Sequence, residues 1–200
     1  MHVYGITGPS GSGKSLLCEY LSAHGIVHIN ADAVYHDLLT PPSSVVDAIV
    51  RQFGENVLAP DGSIDRRALS AIVFSSPLQL ERLNQTVLPL VLDEVRARLA
   101  RMEHDGVRAV AIDAPTLIES GFDTECDTVI VVLSTAEKRI ARIMERDGIS
   151  FERAKARIDA HSPDAFYIAH ADAVLYNDGD RKAFLDQAQK VFSITNDTNI

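Results

Sequence analysis

Val3-Tyr4-Gly5-Ile6-Thr7, then Gly8-Pro9-Ser10-Gly11-Ser12-Gly13-Lys14-Ser15, then Leu16 to Gly25 is the stretch from which the rest of the chain can be read. A short apolar run, a glycine-rich loop and a segment whose apolar positions suit a helix closed by Gly25 give strand, loop, helix. The loop matches G-x-x-x-x-G-K-[ST] in full and in the context that pattern needs. Its glycines let successive N–H groups converge on phosphate oxygens, and the helix N-terminus adds its positive dipole end. Lys14 is expected to reach the β- and γ-phosphates, and the Ser15 hydroxyl to ligate magnesium. The nucleotide-binding set expected here is Gly8, Gly11, Ser12, Gly13, Lys14, Ser15 and Leu16. A dinucleotide fingerprint starting at Gly11 fails, because its third glycine position is Leu16.

Outward from that stretch, the runs Ile26–Ile29, Val107–Asp113 and Asp127–Ser134 read as further strands, with Ala173–Tyr176 as a weaker fifth. Those at 107 and 127 are nearly continuous apolar runs, which marks parallel strands buried on both faces. Between Tyr35 and Arg101 the pattern is helical. Ser76-Pro77 reads as a capped helix start, and Pro89 is expected to kink or break the segment after it. Ser134 to Glu137 has capping-box spacing for a helix ending near Gly148, and Ser150 is placed to cap the next one. The fold expected is α/β: a doubly wound parallel five-stranded sheet in a single domain over residues 1–200, with a helical insertion at 34–104 and a helical lid at 135–165.

Composition limits the partners. The 200 residues carry a formal charge of −9, which leaves no surplus of cations for a nucleic-acid backbone or an anionic membrane. There is no stretch of transmembrane length and no signal-peptide pattern at the start, so a cytoplasmic protein is expected. Cys18 and Cys126 lack CxxC spacing and read as reduced packing residues. His24 and His28 have HxxxH spacing, but Gly25 interrupts it and the glutamate of an HExxH zinc motif is missing. The absence of an NKxD motif disfavours a GTPase.

Four further groups carry chemistry. Asp32 comes after the second strand, where it is either the acceptor that orients an attacking hydroxyl or the N-cap of the next helix. Asp113 ends an apolar strand, where a carboxylate is costly unless it meets solvent, a metal or a donor, and a magnesium role is favoured over a turn role. Arg139, Arg142 and Arg146 share one helical stripe, which reads as a cation cluster closing over transferring phosphates. Phe151, Ala154 and Ile158 form an apolar face expected to pack on the preceding helix.

The stretches Asn30–His36 (NADAVYH), Asp65–Phe74 (DRRALSAIVF), Leu80–Val91 (LERLNQTVLPLV), Ile112–Gly121 (IDAPTLIESG), Cys126–Val132 (CDTVIVV), Arg142–Ser150 (RIMERDGIS) and Ala171–Gly179 (ADAVLYNDG) come after the loop in an order that resembles the dephospho-coenzyme A kinases over nearly the whole length. The resemblance implies ATP- and magnesium-dependent phosphorylation of the ribose 3′-hydroxyl of dephospho-coenzyme A, the last step of coenzyme A synthesis. It also implies that Asp32 acts on the attacking hydroxyl, that Arg142 is a lid arginine, and that Asn177 and Gly179 lie near the adenine. Arg146 joins Arg142 as an expected phosphoryl-stabilising group. Several positions depart from the family pattern: Asn30 for the first aspartate, Leu88 for a histidine before proline, Thr116 for leucine, Ser120 for threonine, His161 for glutamine and Tyr167 near an expected lysine. These departures fall mostly on the acceptor side and keep two alternatives open, a kinase of another nucleoside, nucleotide or small alcohol and a nucleotide-binding switch without catalysis.

Overall fold

The computed structural model describes residues 1–197. The elements run β1 (His2–Thr7), α1 (Lys14–Ala23), β2 (Val27–Asn30), α2 (Ala31–Asp37), α3 (Ser44–Phe53), α4 (Arg66–Val73), α5 (Pro77–His104), β3 (Ala109–Asp113), β4 (Thr128–Leu133), α6 (Ala136–Asp147), α7 (Phe151–Asp159), α8 (Asp164–Ile168), β5 (Ala173–Tyr176) and α9 (Arg181–Asp197). The five strands form one sheet in the order β2-β3-β1-β4-β5, with β1 parallel to both of its neighbours and β5 parallel to β4. This is the α/β architecture that the continuous apolar runs predict, since β1 and β4 are buried almost throughout. The chain separates into two compact units, Met1–His28 with Val107–Ile200, and Ile29–Gly106.

In the first unit the core joins Tyr4 and Ile6 of β1, Leu17, Cys18 and Leu21 of α1, and Ile130 and Val132 of β4 to Phe184 and Ala188 of α9. Each large apolar side chain buried there contributes about 1.5–3 kcal/mol, which anchors the strand end from which the glycine loop departs. Aspartates close the strand entrances: Asp127 accepts from the Val3 N–H and Asp172 from the Val129 N–H, both at 2.7 Å. Helices α6 and α7 pack through Ile143 and Ala154, both fully buried. Phe151, at the first position of α7, is half exposed, so the apolar face it opens is buried fully only at Ala154.

In the second unit, α5 buries Leu83, Val87, Val91 and Val95 along one stripe facing α2, α3 and α4. That stripe spans Pro89, and α5 runs through the proline as one helix of 28 residues instead of ending there. Apolar contacts on both sides of the proline outweigh the one missing donor. Arg98 ties α5 to α2 through Asp37 at 3.1 Å and is held on its own helix by Glu94. Among the described residues, no helix is long and apolar enough to cross a membrane.

Candidate phosphate-binding site

The glycine loop leaves β1 at Thr7, which is fully buried between β3 and β4, so its start is fixed by the centre of the sheet. At Gly8 the backbone φ is +135°, and a Cβ there would lie 2.2 Å from the Val132 carbonyl oxygen. Only glycine permits the chain to press against β4 and turn there. Gly13 has φ +109°, and a Cβ would sit 2.0 Å from Asn177 Nδ2. Between these points the Ser12 N–H donates to the Pro9 carbonyl at 3.2 Å, and α1 opens at Lys14.

The outer side of the loop is held by cations and amides on its carbonyls. Arg139 Nε donates to Ser10 O at 3.0 Å. Arg142 donates to the Gly11 and Ser12 carbonyls at 3.1 and 3.2 Å, to Ser134 Oγ at 3.1 Å and to Asn177 O at 2.7 Å. Asn177 Nδ2 adds a bond to Ser12 O at 2.9 Å from a side chain that is buried. Carbonyls drawn outward leave the successive N–H groups facing the concave side, which is how an anion nest is made. Ser12 Oγ and Arg139 Nη2, both at this loop, are buried polar atoms that face no hydrogen-bond partner among the described residues. Burial lowers the pKa of Arg139, partly offset by Asp164 and Tyr167. A phosphate group supplies what both atoms lack, so the residues present fit a nucleotide's phosphates.

Lys14 Nζ folds back over the loop to the Gly8 carbonyl at 2.7 Å. Ser15 is exposed on the first turn of α1, while the Leu16 N–H donates to the Gly13 carbonyl and its side chain packs on the core. Asp113 ends β3 opposite Ile6 of β1 and is buried, with 7% exposure. His161 Nε2 lies 3.2 Å from the Ser10 amide nitrogen and 2.9 Å from Ser10 Oγ. The imidazole pKa is lowered by burial first and then by Arg139 and Lys14, which favours the neutral ring able to accept those donors.

Several sequence expectations are redistributed. The arginine stripe divides: Arg139 and Arg142 meet the loop, whereas Arg146 turns to Asp147, with bonds of 2.7 and 2.9 Å, and Arg157 also pairs with that carboxylate. Arg142 is thus bonded to the loop's carbonyls, and the Asn177 side chain, expected near the adenine, donates to the Ser12 carbonyl. Gly179 is exposed just ahead of α9. The N-terminus of α6 is capped by Asp178, whose carboxylate accepts from Thr135 N and Ser134 Oγ at 2.8 Å, so the Ser134 capping box does not form. His161, placed by sequence on the acceptor side, sits on the phosphate loop. No local pattern announces it, because the contact spans 151 positions of chain.

Asp32 belongs to the second unit, exposed in the first turn of α2. It is not the cap of that helix: Asn30 Oδ1 accepts from the Ala33 N–H at 2.8 Å and takes that role. Asparagine caps as well as aspartate, so the Asn30 departure keeps the local structure intact.

The model of the dephospho-CoA kinase family matches residues 2–183. The chain belongs to the dephospho-CoA kinase family. It is similar to the dephospho-CoA kinase of Symbiobacterium thermophilum, with 40% identity over 90% of this chain and 75% of the relative. The dephospho-CoA kinase of Corynebacterium efficiens is 34% identical over 94% of both chains. Among solved structures, dephospho-CoA kinase from Campylobacter jejuni superimposes with a TM-score of 0.74 at 25% identity, covering 99% of this chain and 98% of that one. Dephospho-CoA kinase membership accounts for the order of motifs downstream of the loop, which the loop alone does not specify.

Proposed function

We propose that this protein transfers the γ-phosphoryl group of ATP to the ribose 3′-hydroxyl of dephospho-coenzyme A, giving coenzyme A and ADP. The observation that carries the phosphoryl-transfer half is the nest whose carbonyls are tied back by Arg139, Arg142 and Asn177, with Lys14 lying across it. Family membership carries the acceptor half. Ser15 and Asp113 offer hard oxygen donors at the first turn of α1 and the end of β3, and they would hold magnesium, which would supply positive charge against the phosphates.

In this reading the loop N–H groups and Lys14 hold the β- and γ-phosphates, Arg139 Nη2 supplies a buried cation beside them, and Arg142 keeps the loop in its receptive shape. Asp32 accepts or orients the 3′-hydroxyl proton so that oxygen attacks in line. Residues 34–104 receive the acceptor and 135–165 form a lid whose closure excludes water. Incubation with ATP, magnesium and dephospho-coenzyme A should yield coenzyme A by mass spectrometry, and Lys14→Ala should abolish it with the fold intact. Product formed equally by Lys14→Ala would overturn the assignment of the loop. ATP binding without coenzyme A formation would overturn the acceptor.

A further inference from the structure

Cys18 on α1, His28 on β2 and Asp113 at the end of β3 bring one thiol sulfur, one imidazole nitrogen and one carboxylate oxygen within 4.8 Å of one another. The phosphoryl-transfer chemistry asks for neither a thiol nor an imidazole at this point. Cys18 and Asp113 are 3% and 7% exposed, whereas His28 is exposed. The set is thus walled on two sides by protein and open on the third. A tetrahedral ion with metal–sulfur bonds near 2.3 Å and metal–nitrogen or metal–oxygen bonds near 2.1 Å holds its ligand atoms about 3.3 to 3.8 Å apart. The three ligand atoms start no more than 4.8 Å apart, and the exposed His28 ring can rotate toward the other two as they close on an ion.

We propose that Cys18, His28 and Asp113 form a binding site for a zinc-class divalent ion, with three protein ligands and a fourth position open to solvent on the His28 side. Thiolate and imidazole select borderline-soft ions, while magnesium prefers all-oxygen surroundings, so the donor set distinguishes this ion from the one that accompanies ATP. Coordination by sulfur releases the Cys18 proton to solvent. The HxxxH pairing of His24 with His28 misses the site, because the partners of His28 lie on α1 and at the end of β3.

On the kinase reading, on which this last step rests, Asp113 is also the carboxylate placed to hold magnesium, so an ion at the Cys18–His28 side draws it away and lowers turnover. Occupancy by a zinc-class ion would then restrain phosphoryl transfer without competing directly for ATP.

Cobalt(II) is the probe for binding, titrated into the full-length, tag-free, nucleotide-free protein. One Co2+ per chain with a thiolate-to-metal charge-transfer band in the near ultraviolet is expected, and Zn2+ should displace it. Cys18→Ala should abolish the band, and His28→Ala, an exposed position with little to lose in folding, should weaken Co2+ binding at least about tenfold. No band, a band kept by Cys18→Ala, or unchanged affinity in His28→Ala overturns the site. In a second arm, Zn2+ added during coenzyme A formation at saturating magnesium should inhibit the unmodified protein at concentrations at least about tenfold below those needed for either variant. Equal inhibition of all three overturns the link to turnover. The cobalt spectrum decides the site whether or not coenzyme A is made, so failure of the kinase reading is read separately from failure of the metal site.

Discussion

His161 Nε2 stands 3.2 Å from the Ser10 amide nitrogen, so a residue just beyond the α6–α7 hairpin holds the third position of the phosphate loop. The bond requires a lone pair on Nε2 and hence the neutral ring with its proton on Nδ1. Burial and the neighbouring Arg139 and Lys14 put the folded pKa below the ordinary 6.5. Between those two values the unfolded chain binds more protons than the folded one, so stability is full above 6.5 and falls as pH drops toward the folded value. His161→Gln offers an amide oxygen that accepts without titrating. Thermal melts between pH 5 and 8 should show the unmodified protein losing more stability at the acid end than His161→Gln. Parallel curves would contradict the contact.

Arg142 and Arg146 separate by what they touch. Charge-assisted bonds to loop carbonyls are each worth about 1.5–3 kcal/mol, so Arg142→Ala should raise the Kd for ATP at least about tenfold. Arg142→Lys should fail to restore it, because a single ammonium cannot span acceptors on the loop and on Asn177 together. Arg146 is an exposed partner of Asp147, and Arg146→Ala should leave ATP affinity within about twofold. Calorimetric titration with ATP measures all three.

Gly13 and Gly25 both have left-handed backbone, at φ +109° and +81°, but different surroundings. Alanine at 25 meets no atom within 4 Å and carries only the conformational cost of about 1–2 kcal/mol. Alanine at 13 adds a collision with Asn177, which must leave Ser12 O or push the loop open. Gly13→Ala should therefore lose ATP binding, whereas Gly25→Ala should keep it at a lower Tm. Similar ATP affinity in the two variants would refute the packing argument.

Asn30 caps α2, and Asp32 in its first turn is the residue proposed to orient the acceptor hydroxyl. Removing the cap with Asn30→Ala should cost about 1 kcal/mol of stability, and Asn30→Asp very little. Asp32→Asn should leave the melting temperature nearly unchanged while lowering kcat by about a hundredfold or more, with a much smaller effect on the Kd for ATP. Loss of stability without loss of kcat in Asp32→Asn would return that residue to a structural role.

These contrasts show where the sequence speaks and where it stops. Strands β3 and β4 lie within a residue or two of their apolar runs, because burial on both faces of a parallel sheet leaves a local signature, whereas the edge strand β5 is only partly buried and its run is the weakest. The loop is readable for the same reason: glycine, lysine and serine positions are dictated by backbone geometry over eight consecutive residues. Pro89 does not end the helix, because propensity is local while the Leu83–Val95 stripe is tertiary. Arg139, Arg142 and Arg146 look equivalent by spacing, yet only contacts with Ser10, Gly11 and Ser12 separate the first two from the third. His161 on Ser10, Asp178 on Thr135, and the meeting of Cys18, His28 and Asp113 all join distant positions, and no window along the chain contains both partners.

The central claim is the identity of the acceptor, and the most direct measurement is kcat/KM for dephospho-coenzyme A beside a panel of nucleosides, nucleotides and small alcohols, at fixed ATP and magnesium. The account predicts the highest value for dephospho-coenzyme A, with the added phosphate located on the ribose 3′-oxygen of the product. A panel member with a higher kcat/KM, or phosphate found at another oxygen, would contradict it.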